Sequence, residues 1–209
     1  MGCISWSTDK PLRKPVIYTN NDYDITRGFK LLYDEKKYDK SILCKNTLQS
    51  VMTALPMGYR ISESWNLAYS TTEHGFSLRT LYDNVKQFAP PYVIICKDDD
   101  NKKFGVYYNG KISLKKVTTH ERNAFLFKIN DIDSKRSITK FSYTGIDPYF
   151  CICEKDYLAF GCDDSSYGLL FNSNMLSGET NSVTTFNNEL LTSDNYFKIN
   201  TVEIWSISL

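Results

Sequence analysis

The run Tyr92-Val93-Ile94-Ile95-Cys96-Lys97-Asp98-Asp99-Asp100-Asn101-Lys102-Lys103-Phe104-Gly105-Val106-Tyr107-Tyr108-Asn109 decides the fold class. Two segments rich in β-branched and aromatic residues, Tyr92–Lys97 and Phe104–Asn109, flank the polar turn Asp98–Lys102. That pattern predicts a β-hairpin. Downstream, the same composition predicts strands at Ala124–Ile129, Tyr149–Glu154, Tyr157–Gly161, Gly168–Phe171 and Tyr196–Ile207, the last long enough for two. Upstream the period changes. Leu48, Val51, Met52 and Leu55 recur at helical spacing until Pro56 stops them, and Leu78, Leu81, Tyr82 and Val85 do the same behind Ser77, a residue suited to cap the first amides. Both stripes read as core-facing. Short strands following two helices predict a mainly β (α+β) fold, a sandwich of two antiparallel sheets with flanking short helices.

Residues 1–40 differ in texture. Pro11, Pro15, Asn20, Asn21, Asp22 and Asp24 interrupt any period, and Asp34-Glu35-Lys36-Lys37 is a charge run. This stretch reads as an N-terminal arm, docked through Tyr18, Tyr23, Phe29, Leu31, Leu32 and Tyr33, ahead of a domain over 41–209. The 209 residues suit one domain, and 42% hydrophobic with 14% aromatic content excludes a disordered chain. A net charge of +1 argues against nucleic acid as the partner. No apolar run reaches the ~20 residues of a spanning helix. The N-terminus lacks an apolar stretch of signal length, and no Asn-x-Ser/Thr sequon occurs, so the expected compartment is cytoplasmic. There the six cysteines are expected as thiols.

Most catalytic signatures fail on their spacing. His120-Glu121 opens like a zinc-protease motif, but Ala124 stands where the second ligand belongs. With only one other histidine, His74, no metal is expected, and no cofactor is called for. Gly110-Lys111 runs into Ile112, so no phosphate-cradling loop forms, and Gly-x-Ser-x-Gly is missing. Asp98-Asp99-Asp100 lacks the glycine and closing glutamate of a calcium loop. Asp163-Asp164 makes a second acidic loop. Cys151 and Cys153 fall on one face of a strand, suited either to packing or, with Cys162, to metal or redox chemistry. Thr72-Glu73-His74-Gly75 is polar and lies before a helix, with Ser77 near enough to suggest a nucleophile. On an extended segment, however, Glu73 and His74 would point to opposite sides. Gly2 fits N-myristoylation and Cys3 a palmitoyl anchor, although Trp6 replaces the usual Ser/Thr.

The segment Trp65-Asn66-Leu67-Ala68-Tyr69-Ser70-Thr71-Thr72-Glu73-His74-Gly75-Phe76-Ser77-Leu78-Arg79-Thr80-Leu81-Tyr82 resembles the opening signature of TLDc domains. The likeness continues through Tyr92–Lys97, Phe104-Gly105, Phe125-Leu126-Phe127, Tyr157–Cys162, Tyr167–Leu170 and Thr185–Glu189, and closes on Phe197–Trp205. It spans about residues 45–207. One departure is Gly161-Cys162-Asp163-Asp164, where many members carry a more glycine-rich loop. The resemblance implies a TLDc-type β-sandwich, protection against oxidative stress, and binding to the V1 subunits of the vacuolar proton-pumping ATPase. It implies no reaction.

Taken on their own chemistry, Trp65 and Trp205 are candidate core aromatics. Gly75, Gly161 and Gly168 mark junctions that favour glycine. Glu73, His74, Asp163 and Asp164 are the candidate partner-binding residues. Two other classes stay open: a thiol- or His-dependent redox or hydrolytic enzyme using His74 with Ser77 or the Cys151/Cys153/Cys162 set, and a membrane-tethered trafficking adaptor lipidated at Gly2 and Cys3.

Overall fold

The structure, a computed structural model, describes residues 14–19, 29–32, 41–119, 123–132, 135–146, 149–163 and 166–208. In chain order the elements are β1 Val16–Thr19, β2 Lys30–Leu32, α1 Lys45–Ala54, α2 Met57–Arg60, β3 Ser64–Ser70, α3 Thr71–His74, α4 Leu78–Val85 and β4 Tyr92–Asp98. They continue with β5 Lys103–Tyr108, β6 Lys116–Thr119, β7 Phe125–Ile132, β8 Lys135–Ser142, β9 Tyr149–Cys153, β10 Tyr157–Asp163, β11 Ser166–Asn172, β12 Ser177–Glu179 and β13 Tyr196–Ser208. The segment read as an arm contributes β1, paired with β8, and β2, paired in parallel with β3. Tyr18, Phe29 and Leu31 pack on the core, Leu32 is exposed contrary to the sequence reading, and Tyr23 and Tyr33 lie outside the described residues.

The strands form two layers that share β13. Tyr196–Lys198 pair with β12, which leads through β11, β10 and β9 to β6. From Ile199 onward the same strand pairs with β4, and Glu203–Ser208 also pair with β3. Register shifts at Ile199/Thr201 and at Ile204/Trp205 bend it between the layers. The span Tyr196–Ile207, read as long enough for two strands, is thus one continuous strand serving both sheets.

Burial explains why β4 reads as an unbroken apolar run rather than an alternating one. Tyr92, Ile94 and Cys96 face the core between the sheets, where α4 also inserts Leu78, Leu81, Tyr82 and Val85. Val93 and Ile95 face a second core closed by Leu48, Val51, Met52 and Leu55 of α1. Both faces of the strand are therefore covered. Trp65 and Trp205 are fully buried in that second core, and Trp65 meets the Phe29 ring edge-on at 5.6 Å.

The C-terminal end of α1 is held by two cations. Arg60 Nε donates to Leu55 O and Lys140 Nζ to Ala54 O, each at 2.7 Å, at the negative end of the helix dipole. Lys140 also sits 4.0 Å from the Phe125 ring centroid. Burial, reinforced by nearby Arg60, pulls its pKa from 10.5 down to about 8. Between those values the unfolded chain holds a proton that the folded chain has released, so rising pH favours the fold through this group. Below the folded pKa and above the unfolded one, the contribution is flat. Urea melts of wild type and Lys140→Met across this alkaline range should show the wild type gaining on the variant. A constant difference would mean that Lys140 titrates as an ordinary surface lysine.

Candidate functional site

Residues 70–77 form a braced loop at the end of β3. The chain turns there through α3, a single helical turn rather than the extended segment read from sequence. Ser70 caps it, its Oγ accepting the Thr72 N–H at 3.2 Å. Gly75 ends it at φ +82°, a conformation that a side chain would strain. Thr71 Oγ1 accepts the Val202 N–H at 3.0 Å, fixing the turn to β13. Tyr69 stacks on His74 with ring centroids 5.7 Å apart and donates its hydroxyl to Gly75 O at 2.7 Å. Burial pushes the Tyr69 phenol up to about 12, partly opposed by the Ser77 backbone, so it remains a donor at neutral pH.

This geometry decides what His74 can do. Its Nδ1 accepts the Ser70 N–H at 3.0 Å, and Nε2 lies 3.8 Å from Glu73 Oε1. A neutral imidazole has one lone-pair nitrogen, and the backbone amide occupies it. Ser77 Oγ meanwhile accepts the Thr80 N–H at 3.3 Å as the N-cap of α4. A helical turn brings Glu73 and His74 to one side, but as a held pair and not as a base aimed at Ser77. Beside them Thr72, Gly75 and Phe76 are exposed.

Asp163 ends β10. Its Oδ2 accepts the Thr184 N–H at 3.1 Å and the Thr184 hydroxyl at 3.4 Å, tying the β10–β11 hairpin to residues 183–189. Gly161, at φ +68°, leaves room for Phe186, whose ring would lie 2.6 Å from an added Cβ. Gly168 lies in β11 against Leu126. Asp164, Gly2 and Cys3 lie outside the described residues.

A cleft of about 670 Å³ opens beside α4, lined by Ser77, Arg79, Tyr82 and Lys86 of that helix region, with Leu114 and Lys155 on the far walls. Tyr82 forms part of its floor and donates its hydroxyl to Glu154 O at 2.9 Å. Behind it Cys151 and Cys153, both buried, hold their sulfurs 3.6 Å apart. Among the described residues, no three His, Cys, Asp or Glu side chains gather to hold a metal ion.

With this geometry in place, comparison with known proteins gives one consistent answer. The TLDc domain profile matches residues 36–208. The chain belongs to the TLDc domain family. It is similar to oxidation resistance protein 1 of Saccharomyces cerevisiae, 27% identical over 198 residues, covering 79% of this chain and 72% of the yeast protein. It is also similar to nuclear receptor coactivator 7 of Gallus gallus, 30% identical over 173 residues. That match covers 81% of this chain but spans only 18% of the chicken protein. A further relative is oxidation resistance protein 1 of Cryptococcus neoformans, 26% identical, over 77% of this chain and 35% of the fungal one.

In this TLDc domain the described candidate partner-binding residues, Glu73, His74 and Asp163, do not form one patch. The Leu78 N–H bonds Ser173 O, so the start of α4 meets the Asn172 end of the β10–β11 hairpin. Asp163 and Ser166 close the opposite end, a strand length of about 20 Å away. Glu73 and His74 therefore make one surface, and Asp163 braces another. Sequence reading missed the cleft, because its walls come from segments far apart in the chain. It also missed Thr184 as the partner of Asp163. Ser77 and Arg79, inside the quoted signature, were the local signal available. Among the described residues no helix is long and apolar enough to cross a membrane.

Proposed function

We propose that this TLDc protein protects against oxidative stress as a non-catalytic binding module, engaging the V1 subunits of the vacuolar proton-pumping ATPase and shifting the pump's assembly or activity. Relatives named oxidation resistance protein 1 support the stress-protection part, and the TLDc resemblance supports the choice of partner. One observation carries the binding part: Phe76 is exposed, with Glu73 and His74 partly exposed beside it, on a turn held by the Ser70 cap, the Tyr69 stack and the Thr71–Val202 bond. Ordering entropy is thus largely spent before any partner arrives, which favours docking. A domain that binds one assembly state more tightly moves the population toward it. Acylation at Gly2 or Cys3 would add peripheral attachment to endomembranes, and the intact mass of protein from native cells reads it directly.

The test is capture of pump subunits by the full chain from native-cell extract. A Glu73→Arg/Phe76→Asp variant that melts like wild type should retain less than a tenth of the captured V1 subunits. An Asp163→Lys variant, altered at the remote hairpin, separates the two surfaces. Wild-type capture by the Glu73/Phe76 variant would remove the α3 turn from the interface.

A further inference from the structure

We propose that Cys151 and Cys153 form a dithiol that peroxide oxidises to a disulfide, and that closure of this bond remodels the cleft beside α4. The geometry starts from β9. Alternation puts both thiols on one strand face, and their sulfurs already stand 3.6 Å apart in the core. Tyr82 lines the cleft, lies close enough to both thiols to interact with them electrostatically, and is held by its bond to Glu154 O. Residues two apart on a strand have Cα atoms about 6.6–6.8 Å apart, the upper limit of the disulfide range. Closing the bond therefore contracts β9 around Ile152.

That contraction has somewhere to go. Cys153 pairs with Leu158 of β10 and with Lys116 of β6, and the next residues, Glu154–Asp156, make the turn that holds Tyr82 and lines the cleft. Shortening β9 pulls this turn away from Tyr82. A bond formed under strain is also more readily reduced, as a reversible device requires.

The chemistry balances with a hydroperoxide as oxidant. One cysteine sulfur, as thiolate, attacks the terminal peroxide oxygen. The O–O bond breaks, an alcohol (water, for hydrogen peroxide) leaves, and a sulfenic acid forms. The second sulfur displaces water from it, forming the S–S bond. In sum, two thiols give up two electrons and two protons, and the peroxide becomes alcohol and water. The nearby second thiol traps the sulfenic acid before further oxidation. This proposal stands apart from the pump reading, and its test uses no partner.

The experiment treats the full chain, with Cys3, Cys44 and Cys162 changed to Ser and Cys96 to Ala, with hydrogen peroxide. Alkylation under denaturing conditions and intact-mass measurement follow. The expected product has lost two hydrogens, takes no alkyl group, and returns to the dithiol with dithiothreitol. Tyr82→Phe should speed its formation about fivefold, as loss of one hydrogen bond shifts a local opening equilibrium. Amide exchange across residues 153–157 should accelerate in the oxidised form. If the fourfold replacement does not fold, peptide mapping of the wild-type chain reads the same crosslink. Thiols that remain alkylatable after the urea-unfolded chain has fully oxidised would overturn the proposal, as would products that only gain oxygen. Unchanged amide exchange would overturn the remodelling.

Discussion

Trp205→Ala is expected to remove about 3–5 kcal/mol of folding stability, the usual loss for truncating a large buried aromatic. The indole is fully buried in the core between sheet and α1, so the vacated volume has no access to solvent. Its Nε1 donates to Glu203 Oε2 at 2.7 Å, and the truncation also strips one donor from a buried carboxylate. Domains of this size are commonly stable by only about 5–15 kcal/mol. Urea denaturation should show a large fall in midpoint with little change in slope. A loss under about 1 kcal/mol would mean that the site collapses around the gap, contrary to the packing described.

The second large effect is expected at Glu203. Its buried carboxylate accepts the Trp205 indole N–H, the Ile42 N–H and the Ser41 hydroxyl, bridging β13 to the entry of α1 across some 160 residues of sequence. Glu203→Ala leaves buried donors without their acceptor, at about 1–3 kcal/mol for each one that finds no substitute. A total loss near 3 kcal/mol or more is expected. Glu203→Gln keeps one carbonyl oxygen and should lose distinctly less. Because Trp205 and Glu203 touch, the double variant should be less destabilised than the sum of the singles. Strict additivity in that cycle would refute the coupling.

Much of the fold was legible where a signal is local. The β4–β5 hairpin announced itself through two apolar runs and a polar turn, α1 through spacing, and α4 through spacing and a capping serine. Strand β8 (Lys-Arg-Ser-Ile-Thr-Lys-Phe-Ser) escaped because it is polar by composition, and β1 and β2 because they are only four and three residues long. Strand β8 exists because β7 and β1 pair with it on either side. The double reading of residues 196–207 has a physical source. Burial alternates at first, where β13 lies in one layer, and turns continuous where both of its faces are covered. The α3 turn is only four residues long, too short to show a period, and so read as extended.

The candidate site was legible in its parts but not in its assembly. Glu73 and His74 could be singled out as polar loop residues. That the backbone of Ser70 occupies the imidazole's lone pair is a matter of three-dimensional contact. Asp163 looked like a free acidic loop residue, whereas its partner Thr184 lies 21 positions later.

The sharing of β13 between layers also bears on how the domain is made in the cell. While residues 1–195 emerge from the ribosome, β4, β3 and β12 have no partner at the place β13 will fill, and the Glu203 bridge to Ile42 does not exist. Those open edges and the apolar faces behind them stay exposed during translation and invite mispairing. Completion waits for β13, so nascent chains that have not yet released residues 196–208 should depend on chaperones far more than chains that have.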